Sequence, residues 1–148
     1  MKANKKMLLV AGVLATIGSS VFANNVITGT NINIDNSDYT VAVGKDITIR
    51  NDAGATYTYG GVINGWNLNV INSPGTTVLA RHTNVNNTVS TLISGSGHEI
   101  ENVDHGVVLG ENNVVKLPSK NEAIAIGQYI HASAPHAIGI GYDLNITG

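Results

Sequence analysis

The sequence predicts an all-β protein, a β-solenoid in which about eight short coils stack along one axis. Three observations support this fold class. A short apolar phrase that ends in glycine recurs along the chain, apolar residues alternate on both sides of that glycine, and no stretch after residue 24 carries the apolar stripe of a helix. Asn, Gly, Thr, Val and Ile dominate this segment, a composition that favours strands and tight turns.

Residues 1–23 have the features of a secretory signal peptide. Three lysines precede a short apolar run from Met7 to Ile17, and Val21-Phe22-Ala23 places small residues where a signal peptidase cuts. The run is too short to cross a bilayer as a helix. We therefore expect export, cleavage after Ala23, and a single β-roll domain over residues 24–148.

The charge of the exported segment argues against some partners. Residues 24–148 hold five basic residues against ten acidic ones, which leaves a formal charge of −5. A net negative charge disfavours nucleic acid or an anionic membrane surface as the partner. Cysteine is absent although export would permit disulfides, so stability must come from packing and backbone pairing.

The repeated phrase defines the coils. Ala123-Ile124-Ala125-Ile126-Gly127 returns fourteen residues later as Ala137-Ile138-Gly139-Ile140-Gly141, and looser copies extend back to the start of the exported segment. Coils of mostly 14–17 residues follow, each with one glycine at a sharp bend. The predicted bend residues are Gly29, Gly44, Gly65, Gly95, Gly110, Gly127 and Gly141, with Arg81 as an imperfect copy in the fourth coil.

Each coil is predicted to contain a strand, the glycine bend, a second strand and a polar corner. After the glycine, patterns such as Ile32-x-Ile34 and Ile47-x-Ile49 predict strands with one buried face. No coil can bury its apolar row alone, so equivalent strands should pair about 4.8 Å apart. We expect the core before the glycine to consist of Val107, Leu109, Ile124, Ile126, Ile138 and Ile140. A β-sandwich would also show alternation, but it gives no reason for the repeated phrase.

The strands before the glycine are apolar or small on both faces. Ala123 and Ala125 alternate with Ile124 and Ile126, so one apolar side remains outside the core whichever side is buried. A second apolar face on a thin solenoid favours packing against a neighbouring molecule. The sequence therefore predicts an oligomer.

The repeats from Val107 to Gly110, Ala123 to Gly127 and Ala137 to Gly141 resemble the head of trimeric autotransporter adhesins, the YadA-like left-handed parallel β-roll of Gram-negative bacteria. The coils at Gly29, Gly44, Gly65 and Gly95 match this pattern more loosely, and Arg81 departs from it. The resemblance implies a left-handed roll, three identical chains side by side, and a location at the cell surface or outer membrane.

The resemblance also implies a function in cell adhesion and virulence. YadA-like heads bind host matrix proteins such as collagen, fibronectin or laminin, and they promote autoaggregation. A neck, a coiled-coil stalk and a membrane anchor follow the head in that family, and residues 24–148 show no pattern for any of them. We expect either a piece of a longer adhesin or a shortened one, which would be secreted if the chain is complete.

No residues stand out for chemistry, so we expect no enzyme activity, no cofactor and no metal site. The five histidines, His82, His98, His105, His131 and His136, have no tight ligand spacing and no cysteine beside them, which favours turn or surface positions. Glu99 and Glu101 should share one solvated face, with Ile100 pointing inward.

The aromatic residues Tyr39, Tyr57, Tyr59, Trp66, Tyr129 and Tyr142 are candidate anchors for a ligand. For Trp66 we favour packing over a coil end or a subunit seam. Two other functions stay open at this point: a structural segment of a surface fibre without a ligand, and a left-handed β-helix enzyme of the acyltransferase type. The latter would show a hexapeptide rhythm of about eighteen residues per coil.

Overall fold

The structure is a computed structural model that describes residues 25–35, 40–50 and 61–148, which form a parallel β-solenoid of about seven turns. Strands hold 77% of these residues, and none of them lies in a helix. Within the described ranges there is accordingly no helix of the length and apolarity needed to cross a membrane. The predicted signal peptide, residues 1–23, lies outside the described residues.

Ten strands make up the solenoid, and every pairing between them is parallel. Their bounds are β1 Val26–Asp35, β2 Val41–Arg50, β3 Val62–Ile71, β4 Thr77–Asn86, β5 Leu92–Ser96, β6 Glu99–Val103, β7 Val107–Glu111, β8 Val114–Asn121, β9 Ala123–Ala132 and β10 Ala137–Ile146. β1 to β4, β9 and β10 run through the bend without interruption. In the two coils between β4 and β9, the bend separates two shorter strands: β5 and β6 in the first coil, and β7 and β8 in the second.

The pairing register places the bends in one straight column. Starting at β1, the residues that pair at the bend are Gly29, Gly44, Gly65, Ala80, Gly95, Gly110, Gly127 and Gly141. We call these eight residues the glycine column. The predicted glycines all belong to it, and eight rungs joined by about seven turns agree with the coil number expected from the sequence.

The backbone of the next coil explains why glycine recurs in this column. Gly127 has φ of +141°, and a Cβ atom built on it would lie 1.8 Å from the carbonyl oxygen of Gly141. That distance is far inside van der Waals contact, and a φ near +140° is open only to glycine. A side chain here would push two coils apart.

The predicted place of Arg81 in the column is wrong. Ala80 occupies it, paired with Gly65 on one side and Gly95 on the other, while Arg81 pairs with Trp66 and Ser96. Ala80 does not adopt a positive φ, so this rung carries a Cβ without the backbone strain that a side chain would meet at the glycines. The interval from Gly65 to Gly95 is thereby divided into two equal coils of fifteen residues.

After the bend, the core follows the predicted alternation. The side chains three and five residues after the glycine column point inward on every rung and are apolar on most, as Ile47 and Ile49 illustrate. Ile100 is buried between the more exposed Glu99 and Glu101, as the sequence predicts. The post-glycine core is Ile32, Ile34, Ile47, Ile49, Leu68, Val70, Val85, Ile100, Val115, Ile130 and Ala132.

Before the bend, the predicted core face is wrong. The chain buries Ala123 and Ala125, whereas Ile124 and Ile126 are only partly covered and Ile138 and Ile140 are 67% and 68% exposed. Val107 and Leu109 likewise flank the buried Val108. The inward residues lie two and four positions before the glycine column, and in the last two coils they are smaller than the isoleucines that point away from the core. The pre-glycine core is Ala42, Ile63, Val78, Ile93, Val108, Ala123, Ala125 and Ala137.

A left-handed residue after each bend causes this change of side. The residue two positions after the glycine column has φ near +55° on seven rungs, and Gly97 with φ of +71° takes that place on the remaining one. A left-handed residue interrupts the alternation of side chains, so inward positions on the two sides of the bend are an odd number of residues apart. The seven non-glycine residues are Asn31, Asp46, Asn67, His82, Asn112, Tyr129 and Asp143.

Candidate functional site

The outward side of the pre-glycine strands is the most distinctive surface of the molecule. It consists of the residues one and three positions before the glycine column on each of the eight rungs, and we call it the apolar face. Twelve of its sixteen residues are aliphatic: Val26, Val41, Val43, Val62, Leu79, Leu92, Val107, Leu109, Ile124, Ile126, Ile138 and Ile140. The other four are Thr28, Asn64, Thr77 and Ser94.

The apolar face carries no charge and extends over the whole described length of the roll. Seven spacings of about 4.8 Å give it a length of about 34 Å. Much of it lies open, because Val26, Val62, Leu79 and Leu92 are each between 41% and 57% exposed. A contiguous apolar surface of this extent is typical of an interface rather than of a surface that stays in water.

The outward side of the post-glycine strands, which consists of the residues four and six positions after the glycine column, is polar except at Ile71 and Val114, and we call it the polar face. Asn33, Asn69 and Asn84 occupy equivalent positions on three rungs, and Thr48 lies between the first two. Further along the roll, Lys116 and Glu99 form an ion pair at 2.6 Å between neighbouring rungs. This side is suited to water or to a polar ligand.

A short polar ladder interrupts the apolar core on three consecutive rungs. Thr83, His98 and Asn113 occupy the inward position three residues after the column, and all three are at most 1% exposed. Their side chains accept hydrogen bonds from the backbone of the next coil: the hydroxyl of Thr83 from the N–H of His98, and the ring Nδ1 of His98 from the N–H of Asn113, both at 3.3 Å. The ladder thus ties successive coils together.

Asn113 ends this ladder with every polar atom of its side chain bonded. Its Oδ1 accepts from the backbone N–H of Ile130 at 3.0 Å. Its Nδ2 donates to the carbonyl oxygens of Leu109 and Gly127, at 3.0 and 3.1 Å. Buried polar groups that are fully paired stabilise a fold, so we assign the ladder a structural role.

His98 corrects the expectation that all five histidines lie in turns or on the surface. Burial lowers the pKa of His98 below its usual value, and the carbonyl of Ser94 and the charge of Glu111 oppose that shift only in part. The sequence signal was its place in the alternation, since His98 and Ile100 are two residues apart on one strand side.

The other four histidines are exposed, in agreement with the prediction. His105 contacts Asp104 at 2.8 Å and His136 contacts Glu122 at 2.7 Å. Among the residues that the structure describes, no three His, Cys, Asp or Glu side chains come together in a way that could hold a metal ion.

The exposed aromatic residues lie at two places on the roll. Trp66 is 48% exposed on the third rung, between the ammonium group of Lys45, 5.6 Å from the ring centroid, and the ring of His82 at 5.7 Å. Trp66 therefore does not cover a coil end. Tyr129 and Tyr142 meet edge to face at 5.8 Å near the last rung. Tyr39, Tyr57 and Tyr59 lie outside the described residues.

Comparison with known proteins adds no relative: no family model, no curated protein and no solved structure matches this chain. The fold assignment therefore rests on the parallel strand pairing seen in the structure. The resemblance to YadA-like heads rests on the repeated motifs of the sequence, and a β-roll is compatible with the solenoid.

Proposed function

We propose that this chain is the head of a bacterial cell-surface adhesin, a homotrimer without enzyme activity that binds host matrix proteins and promotes autoaggregation. The observation that carries the proposal is the apolar face, which stands opposite a polar face on the same slender roll. The first surface suits contact with other copies of the chain, and the second suits contact with a host molecule.

Other copies of the chain are the occupant that best fits the apolar face. The face contains the same type of side chain on nearly every rung, so it can pack against an identical face along its full length without meeting a charge. Ile138 and Ile140, which are two-thirds exposed in one chain, would gain a buried environment there. Three copies, rather than two, follow from the resemblance to YadA-like heads.

In such an assembly the polar faces stay outside. Three copies of one rigid surface multiply weak contacts with a repetitive partner such as a matrix protein, because binding of one copy raises the effective concentration for the next. Collagen, fibronectin and laminin are the partners that the resemblance suggests.

Light scattering coupled to size exclusion tests the assembly. We expect the purified protein to elute with the mass of three chains, and Leu109→Lys to shift it toward the monomer because a buried lysine would lose its hydration. Thr48→Lys adds the same charge on the polar face and serves as the matched control, which should stay trimeric. A protein that is monomeric at every concentration would overturn this part of the proposal.

A solid-phase binding assay tests adhesion. Wells coated with collagen, fibronectin or laminin should bind the assembled protein saturably, and the Leu109→Lys variant more weakly, because it loses avidity. An assembled protein that binds none of the three saturably would contradict the adhesin proposal and favour a structural segment of a surface fibre.

A further inference from the structure

We propose that Lys45, Trp66 and Arg81 form a binding site for a sulfated polysaccharide on the outer corner of the second to fourth rungs. All three residues follow the glycine column by one position, and they pair in register, Lys45 with Trp66 and Trp66 with Arg81. Two exposed cations therefore flank one exposed indole along the solenoid axis. Two rungs separate the cations, which corresponds to about 10 Å between their backbones.

Both cations at this corner are exposed, and one of them, Arg81, has no carboxylate partner among the described residues. The only ion pair of Lys45 within the described ranges is to Asp46, at 3.7 Å, and the Nδ2 of Asn31 also donates to that carboxylate at 2.6 Å. No described side chain forms an ion pair with Arg81. Exposed cations that lie close together can bind an anion locally, although residues 24–148 carry a formal charge of −5.

The neighbouring surface favours a sugar over an acidic peptide. Asn33, Thr48, Asn69 and Asn84 form the next outward column on the first four rungs, three residues further along each strand. Their amide and hydroxyl groups can donate to and accept from sugar hydroxyl groups, whereas a peptide carboxylate needs donors only. The indole N–H of Trp66 adds a donor at the centre.

Two separate cations favour a polymer with repeated anionic groups, such as a sulfated polysaccharide, over a ligand with a single anionic group. A sulfated polysaccharide carries several anionic groups along an extended chain, so neighbouring groups can meet Lys45 and Arg81 together. The guanidinium of Arg81 presents paired N–H donors that match two oxygens of one sulfate group, and Lys45 supplies a mobile point charge.

This inference rests on the proposed function, since it names the ligand class that an exported head would contact first. Each additional copy in a trimer would add one equivalent site, so a long polysaccharide could bridge several sites and bind more tightly than a short one.

Isothermal titration calorimetry with heparin tests the site on the full protein at physiological ionic strength. We expect saturable binding, and at least tenfold weaker binding for Lys45→Gln combined with Arg81→Gln. Lys116→Gln removes one cation from the polar face two rungs beyond Arg81 and should change the affinity less than twofold. The conservative Arg81→Lys should retain part of the affinity. Thermal unfolding should show that all variants remain folded, as expected for exposed side chains.

Three results would overturn the site: no heparin binding by the unsubstituted protein, equal binding by the double variant, or equally tight binding of polyglutamate of matched charge. The solid-phase assay on matrix proteins separates this failure from failure of the proposed function. If the protein binds a matrix protein saturably but not heparin, the adhesin proposal stands and only the polysaccharide site is lost.

Discussion

The Nδ1 atom of His98 accepts a hydrogen bond from the backbone N–H of Asn113, which lies on the next coil at 3.3 Å. Its Nε2 atom lies 3.2 Å from the carbonyl oxygen of Ser94 and donates to it. One neutral tautomer satisfies both atoms, while protonation would set an N–H of the ring against the N–H of Asn113. The core therefore holds His98 neutral.

Acid should weaken the fold through this contact. Because the pKa of His98 in the folded chain is below its unfolded value of 6.5, its contribution is fully present above about pH 6.5 and is lost as the pH falls below that value toward the folded pKa. One proton taken up on unfolding changes the free energy of unfolding by at most about 1.4 kcal/mol per pH unit. Urea unfolding between pH 7.5 and 5 measures the slope.

His98→Asn is the matched variant for this prediction, because Asn113 shows that an asparagine at this position can bond the next coil. The variant should lose the part of the slope that one proton accounts for, while His131→Asn, an exposed control on the same side of the bend, should keep it. An unchanged slope in His98→Asn would show that other groups cause the acid sensitivity.

The glycine column allows a comparison between two residues of nearly equal φ. A Cβ on Gly127 would lie 1.8 Å from the carbonyl oxygen of Gly141, whereas a Cβ on Gly141 would meet only the side chain of Leu144, at 3.6 Å. Both have φ near +143°, so the backbone strain is shared. Gly127→Ala should lower the free energy of unfolding by about 2 kcal/mol more than Gly141→Ala, as expected for an unrelieved clash.

Thermal and urea unfolding of both variants measure that difference. Equal destabilisation would mean that the strain of the positive φ, and not the close approach of the next coil, keeps glycine at these positions.

Removing the end of the polar ladder should be costly. Asn113→Ala leaves the N–H of Ile130 and two carbonyl oxygens without their side-chain partner in the core. Each unpaired buried group costs about 1–3 kcal/mol, so we expect a loss of at least about 2 kcal/mol in the free energy of unfolding. Asn84→Ala, on the exposed polar face, should cost less than about 0.5 kcal/mol. Similar losses for the two variants would contradict the role assigned to the ladder.

The sequence predicted the stacked coils and all bend residues except Ala80, because the signals for both are present in the residues of each coil. Glycine at a positive φ and apolar alternation after the bend are visible in a single coil, as in Gly44 with Ile47 and Ile49. Arg81 was misplaced by one residue because the register was read from glycine alone, and Ala80 fills that rung without a positive φ.

The sequence of one coil does not show which side of the pre-glycine strand is buried, because Ile124 and Ala125 are both apolar. A comparison of the eight coils does show it. The column two residues before the bend is free of polar residues on all eight rungs, whereas the column one residue before it includes Thr28, Asn64 and Ser94. Because polar side chains are seldom buried, a column with polar residues on three rungs is expected to face outward.

The polar ladder escaped the sequence analysis for a different reason. Thr83, His98 and Asn113 break the apolar pattern at inward positions, and only the structure shows that each bonds the following coil. The exposed group of Lys45, Trp66 and Arg81 could not be predicted either, because it depends on which rungs are neighbours.

The most direct test of the stacked register uses the absence of cysteine from the chain. Asn69 and Asn84 are partners on neighbouring rungs, about 4.8 Å apart, a distance that suits a disulfide. Asn69 and Asn86 lie on the same face but two residues out of register, at about 8 Å, which is too far. Mass spectrometry after mild oxidation should find an intramolecular disulfide in the Asn69→Cys/Asn84→Cys variant and free thiols in Asn69→Cys/Asn86→Cys. A disulfide in the second variant alone would contradict the account of one straight column of coils.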